Sequence, residues 1–470
     1  VFTIGKIFRF LGAPCYNNTH SLGTQNNKGF FCNSNTTLLT SSLKTNFTHD
    51  LILVENRILR YVTFFGWYVM QGIPAGFALT ALANYLAANE ISTGEIGAFV
   101  AFIGFPWAIK FIWGPIVDRF NYTPMGRRRP WIIISQLLAL VAMCGIIMIG
   151  DPSKDIQLLS ILFCVHAIFA SIQDVAVDAL AIEVVPEDER GTTTAFMRSG
   201  LVLGTAIGAA GLGYVLSTIG FGWAAIIEAL ILGSLTFISF FIRERRDDLL
   251  FPSGGLTKEN LNKGEEQPNF PSIFRELARG ILDKTSILNT LAISILYITE
   301  SLYRRVLDVY LIQQMGWTDI ELTSLKGIPG TILTLLTLII GGWLVDRFGG
   351  KKVLLTNIFI LLLLYTGFTV LEPLWSNQLF TSSYLLIKGT ADALVNVAAI
   401  PLFMLLARPG IEGSQFVFYM ALSNQMDVLG ASLAGIDSIY VTTAGLGWIC
   451  AIGVGLAFFL IISTMMKADK

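Results

Sequence analysis

Long apolar segments, each about as long as a membrane-spanning helix, alternate with shorter polar segments along this chain. After a polar start, the sequence contains apolar runs that each match the roughly 20 residues a helix needs to cross a bilayer. A charged stretch separates the first six runs from the last six. The pattern predicts an all-α polytopic membrane protein with twelve transmembrane helices in two six-helix bundles. The runs lie at about 61–87, 95–118, 131–149, 157–183, 195–217, 222–242, 285–312, 321–345, 353–371, 381–406, 414–438 and 442–466.

The same pattern divides the chain into five parts. Residues 1–56 are rich in Asn, Thr and Ser and show no helical apolar period, so we expect a disordered polar tail there. Residues 57–242 and 285–466 form the two predicted bundles. Residues 243–284 are too polar to enter a bilayer and form a predicted cytoplasmic linker, and residues 467–470 form a short cytoplasmic tail.

Composition supports a membrane protein and excludes several enzyme classes. Hydrophobic residues make up 53% of the chain and charged residues 14%, against about 25% charged in soluble domains. The net charge of −1 gives no reason to expect a nucleic acid partner. The three histidines (His20, His49 and His166) cannot form the clusters of metal-dependent membrane enzymes, and no nucleotide-binding or serine-nucleophile motif is present. We therefore expect no metal, no cofactor and a monomer in the lipid bilayer.

Basic residues are distributed unequally between the two sets of loops. One set carries twenty Lys and Arg residues, whereas the loops after helices 1, 3, 5, 7, 9 and 11 carry only Lys154. Because cytoplasmic loops retain Lys and Arg, the asymmetry predicts that both ends of the helical region are cytoplasmic. The first set consists of Arg119, Arg127, Arg128, Arg129, Arg190, Arg198, eight residues between Arg243 and Lys284, Arg347, Lys351, Lys352, Arg408, Lys467 and Lys470.

An internal repeat links the two predicted bundles. Residues 114–120 read Gly-Pro-Ile-Val-Asp-Arg-Phe at the end of predicted helix 2, and residues 342–348 read Gly-Trp-Leu-Val-Asp-Arg-Phe at the end of predicted helix 8. A basic cluster follows each copy. Two six-helix halves with matching loops are the architecture of duplicated transporters.

This repeated motif resembles the signature of the major facilitator superfamily, Gly-x-x-x-Asp-Arg-x-Gly-x-basic-basic. The second copy, from Gly342 to Lys352, contains every element of the signature. The resemblance implies the major facilitator fold, in which two pseudo-symmetric six-helix bundles enclose a central cavity.

The chemistry of the motif suits a conformational latch between the halves. Glycine lets two helices approach closely, aspartate can accept from the first amides of a neighbouring helix, and arginine can pair with carboxylates. The alternative is that the basic residues only hold the helix ends at the membrane surface. The latch candidates are Gly114, Asp118, Arg119, Arg127, Arg128, Gly342, Asp346, Arg347 and Lys351.

A narrower resemblance covers predicted helices 2 to 5. The segments at 110–119, 126–131, 173–179 (Gln-Asp-Val-Ala-Val-Asp-Ala) and 186–191 (Pro-Glu-Asp-Glu-Arg-Gly) are similar to the AmpG-type muropeptide permeases and the related acetyl-coenzyme A transporters. The resemblance implies a secondary transporter that imports a large polar metabolite, in a bacterial inner membrane. Residues 179–181 read Ala-Leu-Ala where the permeases usually have Ala-Trp-Lys, which is nearer to the acetyl-coenzyme A branch.

Ionisable residues inside the predicted helices indicate where a solute or a proton binds, because an unpaired charge costs several kcal/mol at mid-membrane. Asp174 and Asp178 share one face of predicted helix 4, and neither has a basic residue within one turn of its own helix. In predicted helix 7, the four-residue spacing of Glu300, Arg304 and Asp308 permits either pairing along the helix or solute contact. The proton and substrate candidates are Lys110, Asp174, Asp178, Glu300, Arg304, Lys388 and Asp392.

Two further patterns concern helix packing. The series Gly200, Gly204, Gly208 and Gly211 resembles the close-packing face of a transmembrane helix. We expect His166 to be hydrogen-bonded between helices, although a proton relay is the alternative.

Together these features predict a secondary active transporter that works by alternating access and is driven by protons. The expected cargo is a muropeptide-like solute, with acetyl-coenzyme A or another organic anion as the alternative. A polytopic membrane enzyme that uses carboxylates, without a metal, is the alternative from a different class. A channel fits less well because it needs no duplicated latch.

Overall fold

A computed structural model describes residues 51–120, 124–251, 269–440 and 442–465. The predicted tail up to residue 50 and the predicted C-terminal tail lie outside these ranges. Ten of the described helices are long and apolar enough to cross a membrane. Two more helical segments, 57–88 and Glu412–Tyr440, have spanning length. The predicted all-α fold with twelve transmembrane helices is confirmed.

The first half contains six long helical segments. Three of them are interrupted: α1 and α5 each contain a π-helical turn, and α2 contains a 3₁₀ turn at Lys110–Ile112. The segments are α1 at 57–88 (Arg57–Gly76, Phe77–Leu82 and Ala83–Ala88), α2 at 93–119 (Thr93–Ala108, Lys110–Ile112 and Trp113–Arg119), α3 Arg129–Ile147, α4 Ile156–Val184, α5 at 190–218 (Arg190–Ala206, Ile207–Leu212 and Gly213–Thr218) and α6 Phe221–Ser239.

The second half contains another six spanning helices, preceded by a short helix inside the predicted linker. This short helix, α7, was not predicted, and it reaches both halves. Its Phe270 ring lies 6.3 Å from the Phe120 ring after α2, and its Glu276 lies 3.5 Å from Arg408 after α11. The helices are α7 Phe270–Ile281, α8 Lys284–Gln313, α9 Asp319–Phe348, α10 Gly350–Val370, α11 Gln378–Leu406, α12 Glu412–Tyr440 and α13 Thr443–Met465.

Helix starts in the two halves use the same local chemistry. Ser92 and Glu95 form a capping box at the start of α2, in which each side chain bonds to the backbone of the other residue. Thr318 and Glu321 form the same box at the start of α9. Helices α2 and α9 are therefore equivalent at their first turns as well as at the repeated motif that ends them.

Glycines allow α1 and α5 to pack backbone against backbone. A Cβ atom would lie 2.4 Å from the Phe65 carbonyl oxygen at Gly200 and 2.4 Å from the Val69 oxygen at Gly204. At Gly208 it would lie 2.0 Å from the oxygen of Ile73. The predicted close-packing face is present at these three positions.

Two details of the packing bear on the predictions. At Gly211, an added Cβ would meet its nearest neighbour at an ordinary 3.9 Å, so this glycine does not share the close contact. The His166 ring, in α4, lies 3.1 Å from the Ala139 carbonyl oxygen of α3 and is buried. This histidine is hydrogen-bonded between helices, as expected.

The structure differs from the prediction at the end of the N-terminal tail. Ile52 and Leu53 are buried, at 2% and 1% exposure. The Leu53 amide donates to the Arg243 carbonyl at 2.9 Å, and the Arg243 amide donates to the Leu51 carbonyl at 2.9 Å. Residues 51–56 are thus part of the folded protein, because they pair with the chain that leaves α6. Their short length gave no apolar period from which to predict this.

Candidate functional site

Asp118 joins the two halves at the end of the bundle where α2 and α9 finish, which we call the basic end. Its carboxylate accepts from the Ser414 amide at 2.6 Å, the Ser414 hydroxyl at 2.5 Å and the Gly413 amide at 3.3 Å. These donors belong to the first turn of α12, in the other half. The free amides and the dipole of a helix N-terminus stabilise an anion placed there.

Asp346 makes the equivalent contact in the opposite direction. It ends α9, in the second half, and accepts from the Gly191 amide at 2.7 Å and the Thr192 amide at 2.9 Å. Both donors lie in the first turn of α5, in the first half. Each half therefore holds the start of one helix of the other half through the aspartate of the repeated motif.

The motif glycines make these contacts possible. A Cβ at Gly114 would lie 2.7 Å from the Cα of Ser414. A Cβ at Gly342 would lie 2.8 Å from the Gly191 carbonyl oxygen, and one at Gly191 would lie 2.6 Å from the Gly342 oxygen. Any larger residue would separate the halves at the basic end.

The arginines of the first copy reinforce its aspartate. Arg128 is fully buried and lies 2.8 Å from Asp118 and 2.7 Å from Glu183 of α4. It also lies 3.8 Å from Glu412 of α12, so it adds a charged contact across the halves. Arg127 lies 3.5 Å from Glu183.

The remaining predicted latch residues are Arg119, Arg347 and Lys351. The Arg119 guanidinium lies over the Phe120 ring at 5.4 Å from its centre. Arg347 and Lys351 make no hydrogen bond or ion pair with any described residue. Among the residues that the structure describes, both copies make the glycine and aspartate contacts, whereas ion pairs of the basic cluster are found only in the first copy.

A buried charge network lies deeper in the first half. Lys110 and Asp174 are 2.8 Å apart and both are buried, which joins α2 to α4. The Tyr68 hydroxyl of α1 donates to Asp178 at 2.5 Å, and this carboxylate is also buried. The sequence named these residues without showing which of them meet. The structure pairs Asp174 with a cation and gives Asp178 a neutral partner.

A cavity of about 490 Å³ contains the predicted candidates of the second half. Arg304 lies 3.2 Å from Glu300 and 3.6 Å from Asp427, and Lys388 lies 2.7 Å from Asp392. The lining residues are Val202, Tyr297, Glu300, Tyr303, Arg304, Leu307, Asp308, Lys326, Gly330, Thr331, Thr334, Leu385, Leu386, Lys388, Gly389, Asp392, Ala393, Asn396 and Asp427.

One predicted pairing is only partly correct. We expected Glu300, Arg304 and Asp308 to be able to neutralise one another along their helix. Arg304 does pair with Glu300, but Asp308 pairs with Lys326 of α9. Helical spacing permits the first contact, whereas the second depends on how α9 packs against α8, which the sequence does not state.

The cavity extends towards the end of the bundle opposite to the basic end. Asp308 lies near the C-terminus of α8 and Lys326 near the N-terminus of α9, and both termini are at that opposite end. Arg304 is 47% exposed at its side chain, whereas Asp118 is fully buried. The protein is therefore closed at the basic end and has a charged cavity towards the other end.

Three charged residues were missed or misplaced by the sequence analysis. Arg198 was counted as a loop residue, but it lies within α5. Glu228 is buried in α6, and both of its carboxylate oxygens lack a hydrogen-bond partner among the described residues; a single acid in an apolar run was a signal that could have identified it. Glu244 accepts from the amides of Arg127 at 3.0 Å and Arg128 at 2.7 Å, and burial raises the pKa of its carboxyl.

Comparison with known proteins gives the family. The family model of the Major Facilitator Superfamily matches residues 61–435. The chain belongs to this superfamily. The anhydromuropeptide permease of Escherichia coli is 23% identical over 368 residues, which are 78% of this chain and 71% of the permease. A Rickettsia prowazekii protein described as transporter AmpG 3 is 27% identical over 165 residues, 34% of this chain and 38% of that protein. The AmpG-type resemblance is confirmed.

Solved structures of other major facilitator proteins share the fold. A fucose:proton symporter of Escherichia coli superimposes with a TM-score of 0.65 at 11% identity, over 87% of this chain and 98% of that chain. A bacterial homologue of the iron transporter ferroportin, in an outward-facing state, gives a TM-score of 0.62 at 12% identity, over 87% and 99% of the two chains. These likenesses confirm the predicted major facilitator fold.

Proposed function

We propose that this protein is a proton-driven secondary transporter that imports a muropeptide-like solute by alternating access. The observation that carries the proposal is the pair of reciprocal aspartate contacts at the basic end. They close one end of the molecule while a charged cavity extends towards the other, which is the arrangement of one state of an alternating-access cycle.

In this proposal the aspartate contacts are a latch. Each is a set of charge-assisted hydrogen bonds to backbone amides, and such bonds contribute about 1.5–3 kcal/mol. A contribution of this size stabilises the closed end but can be overcome when a solute binds. The candidates Gly114, Asp118, Gly342 and Asp346 have this role, and the Arg128 network supports it.

Asp178 is the proposed proton-handling residue of the first half. It is buried in a membrane-spanning helix, where a carboxylate without a cationic partner favours the protonated form. Its observed partner is the neutral hydroxyl of Tyr68, whereas Lys110 is engaged with Asp174. The proton gradient would then be the driving force, and the mechanism needs no bound cofactor.

The cargo is inferred from a relative and from the cavity. The Escherichia coli relative is an anhydromuropeptide permease. A muropeptide joins sugars to a peptide that carries both amino and carboxyl groups. The cavity offers both signs of charge, from Arg304, Lys326, Lys388 and their carboxylate partners. Acetyl-coenzyme A, or another organic anion, is the second candidate, since residues 179–181 differ from the permease pattern.

We further propose that the basic end faces the cytoplasm of a bacterial inner membrane and that the protein acts as a monomer. The excess of Lys and Arg in the loops of this end supports the orientation. With this orientation, the cavity is reached from the outside of the cell.

Uptake into proteoliposomes tests the proposal. Purified full-length protein is reconstituted, an inward proton gradient is imposed, and uptake of a labelled anhydromuropeptide is compared with uptake of labelled acetyl-coenzyme A. We expect gradient-stimulated uptake of the anhydromuropeptide that a proton-conducting ionophore abolishes. Empty liposomes control for leakage.

The other outcomes separate the parts of the proposal. Uptake of acetyl-coenzyme A alone would replace the cargo and keep the mechanism. Uptake that does not respond to the gradient would contradict proton coupling. Uptake of neither compound would contradict both proposed cargoes.

A further inference from the structure

Arg198 lies on the surface of α5 that faces the second half. Gly191, Ala195, Arg198 and Val202 follow one another at spacings of four, three and four residues, so they share one face of the helix. The first two contact Gly342 of α9, and the last lines the cavity. Arg198 is therefore between the closed basic end and the base of the cavity.

The surroundings of Arg198 contain polar groups of both halves. Its charge is close enough to act on Asp178 of the first half and on Tyr297 of the second half. Tyr297 lines the cavity and donates to Asn396 at 2.7 Å. Asp178 accepts from the Tyr68 hydroxyl and forms no ion pair with Arg198.

Arg198 differs from the cations that line the cavity, and from Lys110, in having no carboxylate partner among the described residues. Lys110, Arg304, Lys326 and Lys388 each form an ion pair within 4 Å. Arg198 forms neither an ion pair nor a hydrogen bond with any residue that the structure describes, although it is half-buried within a spanning helix. An intramembrane cation without a partner is costly, and such residues mark the pathways of ions and substrates.

The chemistry of the side chain selects the ligand class. A guanidinium group stays protonated and presents a planar fork of donors that matches two oxygens of a carboxylate or a phosphate. The cations that line the cavity each have a carboxylate of the protein within 4 Å, whereas Arg198 has none in the part of the chain that the structure describes. This argument rests on the proposed function as a transporter.

We propose that Arg198 is an anion-binding residue at the base of the cavity and that it binds a carboxylate or phosphate group of the transported solute. The site makes the anionic group a requirement for tight binding. It also places the negative charge of the solute against both halves, beneath the charged pairs of α8 and α11.

Equilibrium binding to the purified full-length protein tests the assignment. The ligands are an anhydromuropeptide with free carboxylates, its methyl ester and acetyl-coenzyme A, measured by calorimetry on wild type, Arg198→Gln and Arg198→Lys. Arg305→Gln is the matched control, because Arg305 is also an arginine of a spanning helix but is exposed, whereas Arg198 is half-buried.

We expect wild type and Arg305→Gln to bind the free acid about tenfold or more tightly than the ester. This ratio corresponds to the free energy that charge-assisted hydrogen bonds contribute to binding. Arg198→Gln should remove this preference, and Arg198→Lys should keep part of it because the charge remains. If Arg198→Gln weakens the acid and the ester equally, or keeps the preference, the proposal is overturned. Binding of acetyl-coenzyme A alone, lost in Arg198→Gln and kept in Arg305→Gln, would assign the site to a phosphate.

A second measurement separates this inference from the proposed cargoes. Thermal unfolding of the same variants is followed in the presence of inorganic pyrophosphate. This small anion is neither of the two proposed cargoes. Stabilisation of wild type and Arg305→Gln but not of Arg198→Gln would support the anion site even if neither metabolite binds. If neither metabolite binds and pyrophosphate stabilises none of the proteins, the anion site is rejected together with the cargoes.

Discussion

At the scale of residues, the two carboxylates of α4 have different partners and therefore different expected roles. Asp178 accepts from a neutral tyrosine, so Asp178→Asn removes an ionisable group without leaving a charge unpaired. We expect this variant to insert and fold normally and to lose gradient-driven uptake. Uptake in proteoliposomes and the thermal stability of the purified protein check both parts. Loss of membrane insertion would instead show that Asp178 has a structural role.

Asp174 gives a contrasting result in the same experiment. Asp174→Asn leaves the buried Lys110 ammonium without its carboxylate, and breaking a buried ion pair costs about 3–5 kcal/mol. We expect a marked fall in thermal stability, which the double variant Lys110→Gln/Asp174→Asn should largely restore. If the single variant were as stable as wild type, the pair would be dispensable for the fold.

The sequence identified the residues of this network but not their contacts. Asp174 and Asp178 were predicted because two acids in an apolar helix need an explanation. That Lys110 pairs with Asp174 depends on the rotation of α2 against α4, which is set by packing over the whole bundle. Arg198 was misplaced because its charge, close to the end of an apolar run, looked like a residue of the adjoining loop.

At the scale of helices, the contact of α1 with α5 depends on the absence of side chains at specific positions. Gly208→Ala would place a methyl group 2.0 Å from the Ile73 carbonyl oxygen, where backbone cannot move away cheaply. We expect a loss of about 1–3 kcal/mol of stability, the usual cost of overpacking. Thermal unfolding in detergent measures it.

Gly211→Ala is the matched control for this prediction, because the added methyl group meets its nearest neighbour at 3.9 Å. Both variants make the same chemical change within the π-helical turn of α5. Equal stabilities of the two variants would show that helix propensity, not contact with α1, governs the result.

The helices themselves could be predicted with their order and approximate ends, because length and hydropathy are local properties of the sequence. Helix α7 could not be predicted in this way. It has polar neighbours and only three turns, and it is held by contacts such as that of Phe270 with Phe120. The residues at 51–56 were missed for the same reason, since they pair with a distant part of the chain.

At the scale of the whole molecule, the closed basic end should depend on both aspartate contacts. Asp346→Asn removes the charge that binds the amides of α5, so we expect the equilibrium to shift towards opening of the basic end. Spin labels at Asp188→Cys and Lys352→Cys report the distance across the basic end, and labels at Lys154→Cys and Ser376→Cys report the opposite end. Pulsed electron resonance should show the first distance lengthening and the second shortening.

The controls for this prediction use the same labels in a background without the native cysteines. Glu187→Gln changes an exposed acid near the same end and should leave both distance distributions as in wild type. A variant of Asp346 that weakened solute binding without changing either distribution would contradict the latch.

The overall arrangement of two similar halves was predictable because duplication left the same residues at 114–120 and 342–348. For the aspartate contacts between the halves, the type of contact could be predicted but the partner residues could not. The expectation that aspartate binds the first amides of a neighbouring helix named no partner, and the partners Ser414 and Thr192 lie more than 150 residues away from the aspartates that they contact. Contacts at such separation follow from the tertiary fold.

The crossed aspartate contacts also determine which inherited changes this protein can tolerate. Most of the donors are backbone amides, which every residue except proline supplies. A substitution at Thr192 can therefore change the side chain and still keep the backbone amide that donates to Asp346. Proline fits the first turn of a helix but lacks the amide hydrogen, so it is the replacement that selection should remove from this position. At this contact, the closed state depends on an aspartate at 346 and on any residue at 192 that keeps its backbone amide hydrogen.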